Sequence, residues 1–137
     1  MQTIPDADDD YRRPVRTWVQ MFRNAMRGVK VAVRGEVNFF VHFFIAVVAA
    51  VAGGIVELSD ERWCIYILCV TVVLAAELFN TSIEHLARAV TRDQHPEIRD
   101  ALDIASGGVL MAAIGAACVG TLIIAWPFVD KMLDATR

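Results

Sequence analysis

Apolar residues run along the chain in three long blocks separated by short polar stretches, and a mixed stretch precedes them. In that mixed stretch Trp18, Met21, Phe22, Ala25, Met26, Val29 and Val33 recur at helical spacing, with Arg16, Arg23, Arg27, Lys30 and Arg34 on the other sides. The pattern predicts an amphipathic helix over 12–35 lying on a membrane surface. The apolar blocks predict spans at about 38–56, 63–83 and 104–129, each near the ~20 residues that a helix needs to cross a bilayer. Ser59, Asp60, Glu61 and Arg62 form a tight polar turn between the first two spans, with Trp63 where an interfacial anchor is expected. Pro96 interrupts the second polar stretch; the residue before a proline is pushed out of the helical region, so a helix break is expected near Gln94 and His95. Residues 1–11 are polar, contain Pro5 and show no period, and a disordered tail is expected there. In the third block Gly108, Ala112, Ala116 and Gly120 recur every four residues, a stripe expected to be buried against another helix of the same or a neighbouring subunit.

Composition agrees with that reading. A hydrophobic fraction of 56% over 137 residues and a mean hydropathy of +0.47 exceed what an ordinary soluble domain carries, about 45–50% even with glycine counted. The expected architecture is therefore all-α: one integral membrane domain over 12–137, with three transmembrane helices and the surface helix. The net charge of -3 matters less than its distribution, because Asp6, Asp8, Asp9 and Asp10 precede a basic block from Arg12 to Arg34. That block suits anionic lipid headgroups, and nucleic acid is not an expected partner. Arg88, Arg92 and Arg99 in the second polar stretch put it on the same side as the basic helix, which the positive-inside rule assigns to the cytoplasm. Cys64, Cys69 and Cys118 are odd in number, lie in apolar runs and match no zinc spacing, so packing is their expected role. No cleavable signal peptide is expected, since the first long apolar run begins only near Asn38.

Chemistry concentrates at the end of the second block. Glu77, Asn80 and Glu84 are spaced i, i+3 and i+7 and share one helical stripe. An ionised group at bilayer depth costs roughly 2.5–3.5 kcal/mol on insertion scales, so such a stripe is a functional-site candidate. Glu36, Asn38, His42 and Asp103 are expected at the same membrane face. Converging carboxylates repel unless a cation joins them, and hard oxygen ligands suit Mg²⁺ held by one or two carboxylates plus phosphate oxygens. The alternative is a structural polar cluster that pairs helices by hydrogen bonds, with His42 as an interhelical histidine. An ion-conducting oligomer would need a polar stripe through the spans, which the sequence does not have.

The run Glu77-Leu78-Phe79-Asn80-Thr81-Ser82-Ile83-Glu84, followed by His95-Pro96 and then Asp103-Ile104-Ala105-Ser106-Gly107-Gly108-Val109-Leu110, resembles the prokaryotic diacylglycerol kinase family, which includes undecaprenol kinases. The segment from Phe22 to Lys30, with Glu36, Asn38 and His42 beyond it, looks like the same family. The resemblance extends from about Trp18 into the third span. It implies a homotrimeric lipid kinase of the cytoplasmic membrane, with active sites shared between subunits, transferring the γ-phosphoryl group of ATP to a diacylglycerol or undecaprenol hydroxyl with Mg²⁺. By the same resemblance Glu77 is the candidate catalytic base, Glu36 and Glu84 hold the metal, and Asn80, His95 and Asp103 serve the nucleotide and its phosphates; Arg99 and Arg27 are further candidate phosphate ligands. Such chemistry asks mainly for positioning, charge neutralisation and a base near the acceptor. A glycine loop of the Walker type is missing from the sequence, so a P-loop nucleotide site is not expected.

The chain departs from the family pattern at three positions. Leu102 stands where the family usually has a phosphate-directed lysine, Arg88 where it has Asp, and Phe40 where the undecaprenol branch commonly has Arg. Arg88, Arg92 and Arg99 are candidates to replace the lysine. The alternative is a catalytically degenerate homo-oligomeric membrane protein on the same scaffold.

Overall fold

The computed structural model describes residues 17–35, 37–91, 93 and 95–135, and all regular structure among them is helical. Four helices follow in order: α1 Trp18–Gly35, α2 Val37–Ile55, α3 Asp60–Val90 and α4 Pro96–Ala135. The expected tail over 1–11, and the candidates Glu36 and Arg92, lie outside the described residues.

Helix α1 begins at a capping box. The Thr17 hydroxyl accepts from the Gln20 N–H at 3.3 Å, and the Gln20 side-chain oxygen accepts from the Thr17 N–H at 3.0 Å. Two donors that the helix leaves without partners are thereby satisfied reciprocally. This start lies at Trp18, and Thr17-Trp18-Val19-Gln20 is the sequence signature that marks it; the expected stretch 12–16 lies outside the described residues. Ala32 on α1 is buried.

Helix α2 closes in a Schellman motif. The Leu58 N–H reaches back to the Gly53 carbonyl at 3.1 Å and the Glu57 N–H to that of Gly54 at 3.3 Å. The left-handed position of this motif, usually glycine, is filled by Glu57 at φ 56°. Gly53 makes room for the closing contact, since a Cβ there would stand 2.8 Å from Leu58 Cδ1. Ser59 then leads into α3, whose first turn carries Asp60 and Glu61, favourable at the positive end of the helix dipole. The Tyr66 hydroxyl donates to the Ala46 carbonyl, and the Trp63 and Tyr66 rings meet edge to face at 5.5 Å, which ties α2 to α3 at this end.

The most extensive helix pairing is α3 against α4. Val73, Glu77, Asn80 and Thr81 are the buried residues of α3, and Val109 is buried on α4. Both helices run past the expected spans, α3 to Val90 and α4 from Pro96, with Pro96 opening α4 where its missing N–H costs nothing. Gly108 and Gly120 do not make the expected close approach within the chain: a Cβ at either would meet nothing within 4 Å. Val109 and not Gly108 faces the helix pair. Outward surfaces are apolar, with Phe44, Ile67, Leu68, Met111 and Leu122 all more than half exposed. Three helices are long and apolar enough to cross a membrane, Val37–Ile55, Asp60–Val90 and Pro96–Pro127. The chain is a multi-pass membrane protein, for which lipid is the solvent of those exposed faces.

Candidate active site

Helical spacing brings Glu77, Asn80, Thr81 and Glu84 onto the side of α3 that faces its neighbours, and the first three are at most 7% exposed. Such burial demands partners, and those of Glu77 and Asn80 come from α2, from α3 itself and from α4. His42 on α2 sets Nε2 3.0 Å from Glu77 Oε1. Asn80 donates through Nδ2 to Glu84 Oε1 at 2.9 Å, one turn along α3. From α4, the Ser106 hydroxyl points at Asn80 Oδ1 at 3.4 Å and at the Leu102 carbonyl at 3.0 Å, so its one proton is divided between them. These contacts fix the Asn80 amide: the nitrogen faces an acceptor-only carboxylate and the oxygen faces a hydroxyl donor. Among the described residues, no buried side-chain nitrogen or oxygen lacks a partner.

The surroundings divide by polarity. An apolar groove of about 790 Å³ runs between α2, α3 and α4, lined by Ala46, Val73, Ala116, Gly120 and Ile124, and His42 stands in its wall. A second groove of about 830 Å³ separates α1 from α3, where Arg27 and Asn24 face Thr81, Ser82 and His85. Arg88 comes to 3.8 Å from Glu84 Oε2 across one helical turn and is 60% exposed. In that setting the pair is a weak, water-screened one.

Of the residues singled out from sequence, Glu77, Asn80 and Glu84 thus stand together, and Arg27 lines the groove beside Thr81. Asp103 does not join Glu84: it pairs with Arg99 at 3.9 Å, both largely exposed, on the outer side of α4. His95 is exposed and caps α4 with its carbonyl, which accepts from the Ile98 and Arg99 N–H groups. Sequence reasoning missed Ser106 as a site residue. Its signal was a lone hydroxyl one turn after Leu102, placed to reach both its own helix and a neighbour.

Among the described residues no group of three or more His, Cys, Asp or Glu side chains forms a metal cage. A half-buried Glu84, with an amide holding one of its oxygens, fits a cation that brings its own phosphate ligands, as Mg²⁺ characteristically does.

Residues 23–124 match the prokaryotic diacylglycerol kinase family. The chain belongs to that family. It is 34% identical over 114 residues to the undecaprenol kinase of Bacillus subtilis, covering 83% of this chain and 93% of that protein. It is 32% identical over 139 residues to the diacylglycerol kinase of Synechocystis, covering 95% of this chain and 79% of that one. The match takes in α1 from Arg23 onward, α2, α3 and α4 as far as Ile124, so the His42, Glu77, Asn80, Glu84 and Ser106 cluster lies wholly inside the shared region.

Proposed function

We propose that the chain is an ATP-dependent lipid kinase that phosphorylates the hydroxyl of diacylglycerol or undecaprenol. The observation that carries this reading is the Glu77–Asn80–Glu84 stripe, with Glu77 and Asn80 buried and hydrogen-bonded and the whole set beside an apolar groove within the membrane spans. A lipid acceptor lies in the groove with its hydroxyl at the groove's polar end. Glu77 takes the hydroxyl proton, the freed oxygen bonds to the γ-phosphorus, and the bond from that phosphorus to the bridging β–γ oxygen breaks. ADP and a lipid phosphomonoester result, with the proton held on Glu77 until it passes to water.

Glu84, together with Glu36, would hold Mg²⁺, which when bound supplies charge neutralisation for the phosphate oxygens. Asn80 orients Glu84 and offers its amide to the phosphates. Arg88, one turn from Glu84, is the nearest described cation to the stripe and takes the part of the lysine absent at Leu102. Arg99 is engaged with Asp103 and serves less directly. Arg27 faces the nucleotide from α1, and His95 and Asp103 border it at the start of α4.

The same reading has α1 lying as an amphipathic helix on the cytoplasmic face, its basic side against anionic headgroups. The protein then resides in the cytoplasmic membrane as a homotrimer, a single domain over 12–137 behind a short tail, with the small-residue face of α4 meeting a neighbouring subunit. A second reading, a degenerate member that binds without transfer, draws on the apolar Leu102. Purified protein given ATP, Mg²⁺ and, in parallel, diacylglycerol, undecaprenol and ceramide decides by thin-layer separation of product. One phosphorylated lipid names the acceptor, and no product with any of them establishes the degenerate reading.

A further inference from the structure

We propose that His42 is a positioning residue for Glu77, holding the carboxylate in the direction from which it meets the acceptor hydroxyl; this rests on Glu77 being the base. Nε2 of His42 stands 3.0 Å from Oε1 of a glutamate that is 3% exposed. An ionised carboxylate only accepts, so Nε2 carries the hydrogen, whichever state the other ring nitrogen is in. The contact is the right length for a full hydrogen bond.

Position gives it more than a packing role. A glutamate has a broad terminal torsion, and a carboxylate at the end of three rotatable bonds is fixed only by what its oxygens touch. His42 comes from a different helix, so it anchors Oε1 to the α2 frame while the Glu77 backbone belongs to α3. His42 also lines the apolar groove, alongside Val73, which lies one turn before Glu77. The imidazole therefore stands where the groove reaches the carboxylate, and a hydroxyl arriving along that groove meets His42 and Glu77 together. A displacement of about 1 Å at a reacting group costs on the order of 100-fold in rate.

The test uses the full chain purified in lipid micelles, with kcat and KM measured for ATP and for whichever acceptor is phosphorylated. H42L removes the donor, H42Q restores an amide N–H at the reach of Nε2, and H42N restores one at the shorter reach of Nδ1. The expected result is a kcat loss of about 10- to 100-fold in H42L and H42N, about threefold or less in H42Q, with KM for ATP nearly unchanged. In the E77Q background H42L adds no further loss, because a residue that acts through Glu77 has nothing left to position. Wild-type kcat in H42L overturns the proposal, as does equal loss in H42L and H42Q, or an H42L loss that multiplies in full on E77Q. A wild-type protein that phosphorylates no lipid overturns the kinase reading itself, and an active wild type with an active E77Q overturns only the assignment of the base. Melting temperature and elution volume of each variant show whether a loss comes from misfolding.

Discussion

Replacing Glu77 by Gln separates the chemical role of the side chain from its structural one. Gln keeps the volume of the side chain and an oxygen acceptor for the His42 hydrogen bond at 3.0 Å, in a site where only 3% of the residue is exposed. What it loses is the capacity to take a proton. General base catalysis contributes about 10²- to 10⁴-fold, or roughly 2.7–5.5 kcal/mol of barrier at about 1.36 kcal/mol per decade. E77Q is therefore expected to lose at least about 100-fold in kcat while melting within a few degrees of wild type. E77D keeps the carboxylate but withdraws it by one carbon–carbon bond, about 1.5 Å, which takes it out of reach of His42 and costs on the order of 100-fold. E77A is the poorer probe, because it leaves a cavity and takes away the acceptor of the half-buried His42 imidazole. The assay is the initial rate of transfer from γ-labelled ATP into extracted lipid, at saturating ATP and acceptor, with thermal melting in the same micelles. An E77Q protein that keeps more than about a tenth of wild-type kcat refutes the assignment of Glu77 as base.

N80D turns the donor 2.9 Å from Glu84 Oε1 into a second carboxylate oxygen, so the protein is expected to lose about 1.5–3 kcal/mol of stability and nearly all transfer activity, read by melting and by the same rate assay. R88A is expected to lower kcat and L102K to restore it in that background, since the Ser106 bond at Leu102 uses only the backbone carbonyl; equal rates for wild type, R88A and L102K would remove the cation from the mechanism. E57G relieves a left-handed conformation that costs a non-glycine residue about 1–2 kcal/mol, less what the other interactions of Glu57 contribute, and a rise of a few degrees in melting temperature with unchanged kinetics is expected.

Much of the fold was legible because lipid and helix each impose a simple rule. Apolar runs of about 20 residues gave three spans, and Pro96 gave the start of α4. The expected spans stop where apolarity stops, while the expected helix break near Gln94 and His95 falls between α3 and α4. Leu86, Ala87 and Val90 continue the helical period past Glu84, and α3 continues with them, because charge changes the solvent of a helix and not its backbone bonds. The Schellman turn was hidden for the opposite reason: its left-handed position holds Glu57, where sequence rules look for glycine. The site was half legible. Spacing alone put Glu77, Asn80 and Glu84 on one stripe, but the register of α2 and α4 against α3 decides that His42 meets Glu77 and Ser106 meets Asn80. The Arg99–Asp103 pair, by contrast, follows from i, i+4 spacing and was readable.

The contacts of buried Glu77 and half-buried Glu84 bear on how the proposed site would work. Glu77 meets an imidazole at 3.0 Å, and Glu84 takes an amide hydrogen bond at 2.9 Å with the Arg88 guanidinium farther off at 3.8 Å; the amide is held in turn by a hydroxyl. Arg27, Arg88 and Arg99, the cations of the site's surroundings, are all largely exposed. A guanidinium buried against Glu77 would fix the carboxylate equally well, but it would neutralise the charge that a base needs and would have to be displaced before a proton could be taken. Neutral donors give direction without that neutralisation, at about 0.5–1.5 kcal/mol each in net stability. On the proposed reading exposed arginines complement this arrangement, because long, solvated side chains can close on phosphates as a nucleotide arrives and release them afterward. For the lipid kinase proposed above, the order of assembly would be a preformed acidic half on α3 and a cationic half completed by the substrate.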